Sequence, residues 1–140
     1  PSPSAMAVHV LLQLSLYTGK GDYWDTAQTA VSTLYAMLAK YPTGFAHWLA
    51  AAVFMLGQPR EIAIAGDHGA DDTEALLAVA QAGYRPLQVV AVGDNGETVP
   101  LLAQRPLRDD KATAYVCRQF VCQQPVDTPA ALAAQLEGDS

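Results

Sequence analysis

The 140-residue sequence predicts an α/β fold: N-terminal helices followed by a small, mostly parallel β-sheet with flanking helices. Three observations predict it. Apolar residues recur at helical spacing through the first 57 positions. Two short β-rich runs, EIAIAG at 61–66 and LQVVAVG at 87–93, bracket the helical stretch TEALLAVAQA. A further run at 112–117, ATAYVC, precedes a segment that opens Thr-Pro and continues with helix formers. The expected organisation is a helical segment at 1–57 and an α/β unit at 58–140.

In chain order, Ser4 is a candidate cap for a first helix with Met6, Val10, Leu11, Leu14 and Tyr17 on its apolar face. Gly19 and Gly21 end it. Asp22 caps a second, with Ala27, Ala30, Val31, Leu34, Met37 and Leu38 on one side, broken by Pro42. A third, from Gly44 to Leu56, is apolar nearly all round, which predicts burial. After Gly57 and Pro59 the periodicity changes. The strand–helix–strand unit over 61–93 predicts two parallel strands with a right-handed crossover. Asp71 or Asp72 caps its helix, and Asp71 with Glu74 has the spacing of a capping box. Its core should be Ile62, Ile64, Leu76, Leu77 and Val79. Residues 97–104 allow one or two helical turns, limited by Pro100. Thr128 as cap and Pro129 at the first helical position open the last helix.

Composition narrows the function. With 51% apolar and 16% charged residues the chain is too hydrophobic for disorder. The net charge is −6, with lysines and arginines scattered singly, so nucleic acid is not an expected partner. No apolar run reaches the roughly 18–20 residues of a membrane helix, so no membrane is expected either. AMAVHVLLQLSL at 5–16 reads as a core helix, since no basic residue precedes it as in a signal peptide. Two cysteines make no disulfide framework, and the expected location is the cytoplasm. The chain opens at Pro1, without Met, and reads as a piece of something longer.

IAIAGDHG at 62–69 echoes VVAVGDNG at 89–96. If the two strands are parallel neighbours, Asp67 and Asp94 share the sheet edge at which open α/β sheets bind ligands. Asp67, His68 and Asp94 are therefore the candidate ligand-binding residues. The loop GDHGADD lacks G-x-G-x-x-G spacing, and its carboxylates would repel a phosphate. Turn and cap roles account for these aspartates without a ligand, and no cofactor or metal is expected. His9 and His47 lie in apolar helices and read as packed or edge residues.

The two cysteines, Cys117 and Cys122, lie in YVCRQFVCQQP. On a straight strand they would be about 16 Å apart on opposite faces. A disulfide needs Cα atoms within about 7 Å, and so a turn at 118–121. C-x4-C is not the C-x-x-C of thiol exchange, and zinc lacks two further ligands. The expected state is two reduced, mostly buried thiols.

The string AYVCRQFVCQQPVDTPAAL, with Tyr115, Cys117, Phe120, Cys122, Pro125 and Leu132, resembles the C-terminal signature of the YyaL-like, spermatogenesis-associated-protein-20-like family of thioredoxin-domain-containing proteins. YPTGFAHWLAAAVFMLGQPREIAIAGDHGADDTEALL is similar to the family's passage from its last barrel helices into its α/β tail. PSPSAMAVHVLLQLSLYTG resembles its P-S-G-N-S-x-A helix start, with Pro3 and Ser4 in place of Gly and Asn. The resemblance implies that residues 1–57 are the remnant of an (α/α) barrel like that of six-hairpin glycosidases. It implies a parent with an N-terminal thioredoxin-like domain, whose redox motif does not map onto Cys117 or Cys122. The expected function is a C-terminal accessory or structural region, not catalytic by itself. The alternatives are a small-ligand or metal-binding unit at the Gly-Asp loops, or a tail closing a carbohydrate-active or epimerase-like barrel. The expected partner is the rest of the parent chain, with a homodimer of this piece as a possibility once its apolar helix faces, including Met6, Val10, Leu14, Trp48 and Phe54, lose their barrel neighbours.

Overall fold

The computed structural model describes residues 2–94 and 98–138. They form two compact units that divide between Pro59 and Arg60.

The first unit is helical. Helix α1 spans Pro3–Thr18. Its cap is Ser2, not Ser4: the Ser2 hydroxyl accepts from the Ala5 N–H at 3.1 Å. Pro3 fits the first helical position because its missing N–H would have no partner there. Gly19 closes the helix at φ 70°. The buried face of α1 is Ala5, Val8, Leu12, Ser15 and Leu16, whereas Met6, Val10 and Leu14 are exposed. Helix α2, Gly21–Thr33, and helix α3, Tyr35–Lys40, replace the single second helix expected from sequence. The Thr26, Thr29 and Thr33 hydroxyls each donate to the carbonyl four residues back, and such back-bonding bends helices. Asp22 lies in the first turn of α2 and does not cap it. Along α2 and α3 the buried residues are Ala27, Val31 and Leu38, while Met37 is exposed. After a 3-10 turn at Pro42–Phe45, helix α4 spans Ala46–Leu56. It is not buried all round. Trp48, Ala51 and Phe54 face inward, and Val53 and Leu56 are exposed. Helix α1 packs against both α2 and α4, and the His9 ring lies 5.2 Å from that of Phe54. Burial, and to a smaller extent His47, hold the His9 pKa below the usual histidine value.

The second unit is a four-stranded mixed sheet in the order β2-β1-β3-β4. Strands β1, Arg60–Ala65, and β2, Gln88–Gly93, are parallel and joined by helix α5, Asp71–Gln81, as the β-α-β pattern predicts. Strand β3, Thr113–Arg118, lies antiparallel to β1. Among the described residues, a 3-10 turn at Pro100–Leu102 is the only helical element between β2 and β3. A parallel return usually needs a crossover helix, so the α/β class stands while one of the three pairings is parallel. Strand β4, Val121–Cys122, turns back on β3. Helix α6, Pro129–Glu137, starts at Thr128, whose hydroxyl accepts from the Ala131 N–H.

The two faces of this sheet differ. On one, Ile62, Ile64, Ala114 and Val116 join Leu76 and Ala80 of α5 and Leu132 and Leu136 of α6 in a continuous core. Leu76 is its centre from α5, and Leu77 and Val79 are only partly buried against it. The other face carries Glu61, Ala63, Tyr115 and Cys117, covered in part by the turn holding Leu101 and Leu102. The Tyr115 hydroxyl fixes that cover by donating to the Pro106 carbonyl at 2.7 Å.

Candidate functional site

The parallel register pairs Ala65 with Gly93 and continues with the Gly66 N–H donating to the Gly93 carbonyl at 3.0 Å. Asp67 and Asp94 therefore follow the two strands at one edge. Gly66 is required there because a Cβ would meet the Thr73 hydroxyl oxygen at 2.3 Å. Asp67, His68 and Asp94 are all exposed. His68 Nδ1 lies 3.6 Å from Glu74 Oε1, which also accepts from the Gly69 N–H. Glu74 thus reaches back to the loop, but not as the partner of an Asp71 cap. The cap residue of α5 is Ala70, with no side-chain bond. Asp72 instead ties the helix to the lead-in of β3. Its Oδ2 accepts from the Ala112 N–H and its Oδ1 from the Thr73 N–H, each at 2.9 Å. Those N–H groups, Ala112 first, hold the Asp72 carboxyl below the usual aspartate range. Among the described residues no cluster of three or more His, Cys, Asp or Glu side chains is placed to hold a metal. The remainder of the second echo, residues 95–96, lies outside the described residues.

The opposite end of β1 holds a different assembly. Cys117 and Cys122 are joined by a disulfide, which corrects the expectation of two reduced thiols. The strand does not run straight through them. Gln119 and Phe120, at φ 49° and 63°, make a tight turn, and β4 pairs Cys122 directly with Cys117 at a Cα separation of 3.9 Å. Two consecutive positive φ values are what a two-residue hairpin of right-handed twist requires. Cys117 is buried at 1% exposure, while Cys122 is exposed.

Two charged groups converge on the pair. Arg105, leaving the 3-10 turn, directs one guanidinium nitrogen to both sulfurs, 3.6 Å from Cys117 Sγ and 3.5 Å from Cys122 Sγ. Its other terminal nitrogen donates to the Leu101 carbonyl, which fixes the side chain. Glu61 is the register partner of Cys117, so the two side chains share a sheet face. Glu61 is fully buried. Its Oε2 accepts from the Phe120 N–H at 3.3 Å, and Oε1 makes no hydrogen bond of normal geometry. Burial raises the Glu61 pKa, opposed by the Phe120 N–H, the Arg105 charge and the Gln119 N–H. Sequence reasoning missed Arg105 and Glu61. The available signal was a glutamate directly before the apolar run IAIA of β1.

No family model matches the chain, and no solved structure matches it. Curated relatives do. Spermatogenesis-associated protein 20 of Homo sapiens is 28% identical over 94% of this chain. The Mus musculus and Rattus norvegicus proteins of that name are 25% and 26% identical over the same share. The chain spans only 18% of the length of each. No described helix is long and apolar enough to cross a membrane. Along nearly its whole length, then, the chain is homologous to a stretch of spermatogenesis-associated protein 20, the family its C-terminal signature resembles.

Proposed function

We propose that this chain is a C-terminal accessory region of a larger protein of that family, and that it is not a self-sufficient enzyme. The observation that carries the reading is the coverage: 94% of this chain against 18% of its relatives. The helical unit supports it. Met6, Val10 and Leu14 recur every four residues along α1 and are 51%, 50% and 38% exposed, and Val53 and Leu56 of α4 are exposed as well. Residues at that spacing make one apolar stripe, of a kind that marks a contact surface. Its cover is the preceding part of the parent chain, as the resemblance to a barrel-and-tail protein implies. Trp48 and Phe54 are buried within their own unit and do not belong to that surface.

The test is oxidation of Met6 by dilute peroxide, followed by peptide mass spectrometry, on this chain alone and on the parent polypeptide. Met6 should oxidise readily in the first and be protected in the second. Equal rates in both, with this chain monomeric at every concentration, would remove the argument. Self-association of the chain that itself protects Met6 would favour a second copy of this chain as the cover.

A further inference from the structure

We propose that Cys117–Cys122 is a thiol–disulfide exchange site whose co-reactant is a dithiol carried on a protein surface, with Cys122 as the sulfur attacked and Cys117 as the leaving thiolate. Accessibility sets the direction. An incoming thiolate reaches the exposed Cys122, whereas Cys117 is 1% exposed. The leaving sulfur needs its negative charge stabilised, and Arg105 is already 3.6 Å from it. A guanidinium at that distance favours the thiolate, and a thiol of lowered pKa leaves faster. Because Arg105 also stands 3.5 Å from Cys122 Sγ, the same group serves the second displacement. The opposing group is the Glu61 carboxyl, the register partner of Cys117 on β1. Phe120 and Val121, 57% and 76% exposed at the hairpin tip, give a protein co-reactant an apolar landing beside the attacked sulfur.

The step balances as an ordinary dithiol exchange. One thiolate of the co-reactant bonds to Cys122 Sγ as the Cys117–Cys122 bond breaks, and the electron pair stays on Cys117. The second thiolate of the co-reactant then attacks its own sulfur in the mixed disulfide, and Cys122 leaves. Two electrons pass to the hairpin, the co-reactant becomes a disulfide, and its two protons end on Cys117 and Cys122.

The test uses the full chain, first brought to the disulfide with oxidised dithiothreitol. In native buffer, glutathione with iodoacetamide should trap glutathionylated Cys122 and carbamidomethylated Cys117, read by peptide mass spectrometry. Dithiothreitol should open the pair without denaturant. Arg105→Gln should slow that opening about three- to tenfold, and Arg105→Lys should recover much of the rate. Adduct on Cys117, opening only in guanidinium chloride, or failure of the disulfide to form overturns the proposal. So does an Arg105→Gln rate equal to wild type in a variant whose circular dichroism is unchanged. If Arg105→Gln does not fold, the position of the glutathione adduct in the wild-type chain decides alone.

Discussion

Strand β1 ends in two different chemical settings. After its last residue, Ala65, come Asp67 and His68, side chains in water, with Asp94 beside them in the next strand's loop. At its start, Glu61 is withdrawn from water beside a disulfide and a guanidinium that reaches both sulfurs. The first end gathers residue types that look functional and leaves them solvated, with His68 beside Glu74. The second gathers residues from four separate stretches and desolvates two of them, Glu61 and Cys117. Perturbed chemistry follows from burial and convergence, and a run of acidic residues in one loop supplies neither.

The core between these ends supports both. The largest expected effect is therefore Leu76→Ala, which should cost about 2–5 kcal/mol, because Leu76 is fully buried under β1 and β3. Leu77→Ala should cost less than half as much, since Leu77 only flanks that core. Urea denaturation of the two variants checks the order. Equal midpoints would mean that α5 is rotated from the face described.

The β-α-β unit was legible because each signal agreed: alternating runs, a helical run between them and glycines at the exits. The helix faces of the first unit were not. In α1, Met6, Val8, Val10, Leu11, Leu12, Leu14 and Leu16 surround most of the cylinder, so no period selects the buried side. Of its two alanines, Ala5 is fully buried and Ala7 is exposed, so residue size does not select the side either. The antiparallel return of β3 was hidden by the poverty of the preceding segment, of whose described residues only Pro100–Leu102 is helical. The hairpin was hidden by its turn residues. Gln-Phe carries none of the Asn-Gly signal of positive φ, so C-x4-C read as a straight strand. Arg105 comes from irregular chain twelve residues before Cys117, a distance no local pattern encodes.

The two ends should also respond to pH with opposite sign. Burial raises the Glu61 pKa, so the folded chain holds that proton more tightly than the unfolded chain does. Its contribution to stability is complete below the unfolded value and lost as pH rises through the folded one. Asp72, beside the Gly-Asp end, has a lowered pKa. Its contribution is present above the ordinary aspartate value and lost as pH falls through the lowered one. Midpoints measured against pH should show both losses. Glu61→Gln should flatten the one above the ordinary glutamate value, and Asp72→Asn the one at the acid end. A Glu61→Gln curve that keeps the upper loss would show that its carboxyl is hydrated in solution.

The smallest effect expected is at the Gly-Asp edge. His68 and Glu74 are 79% and 46% exposed and 3.6 Å apart, and polar contacts so exposed to water contribute little, with even full ion pairs at about 0–1 kcal/mol. Asp67 and Asp94 are exposed. Asp67→Asn and His68→Gln should therefore each shift stability by no more than about 0.5 kcal/mol. Thermal unfolding with and without millimolar calcium or magnesium gives the complementary reading, because a bound ion stabilises only the folded chain and raises the midpoint with its concentration. No rise is expected in the wild-type chain. A rise that Asp67→Asn and Asp94→Asn abolish would reverse the comparison. The exposed end of β1 would then be the one built to bind, and its carboxylates would be open to water in order to take a cation from it.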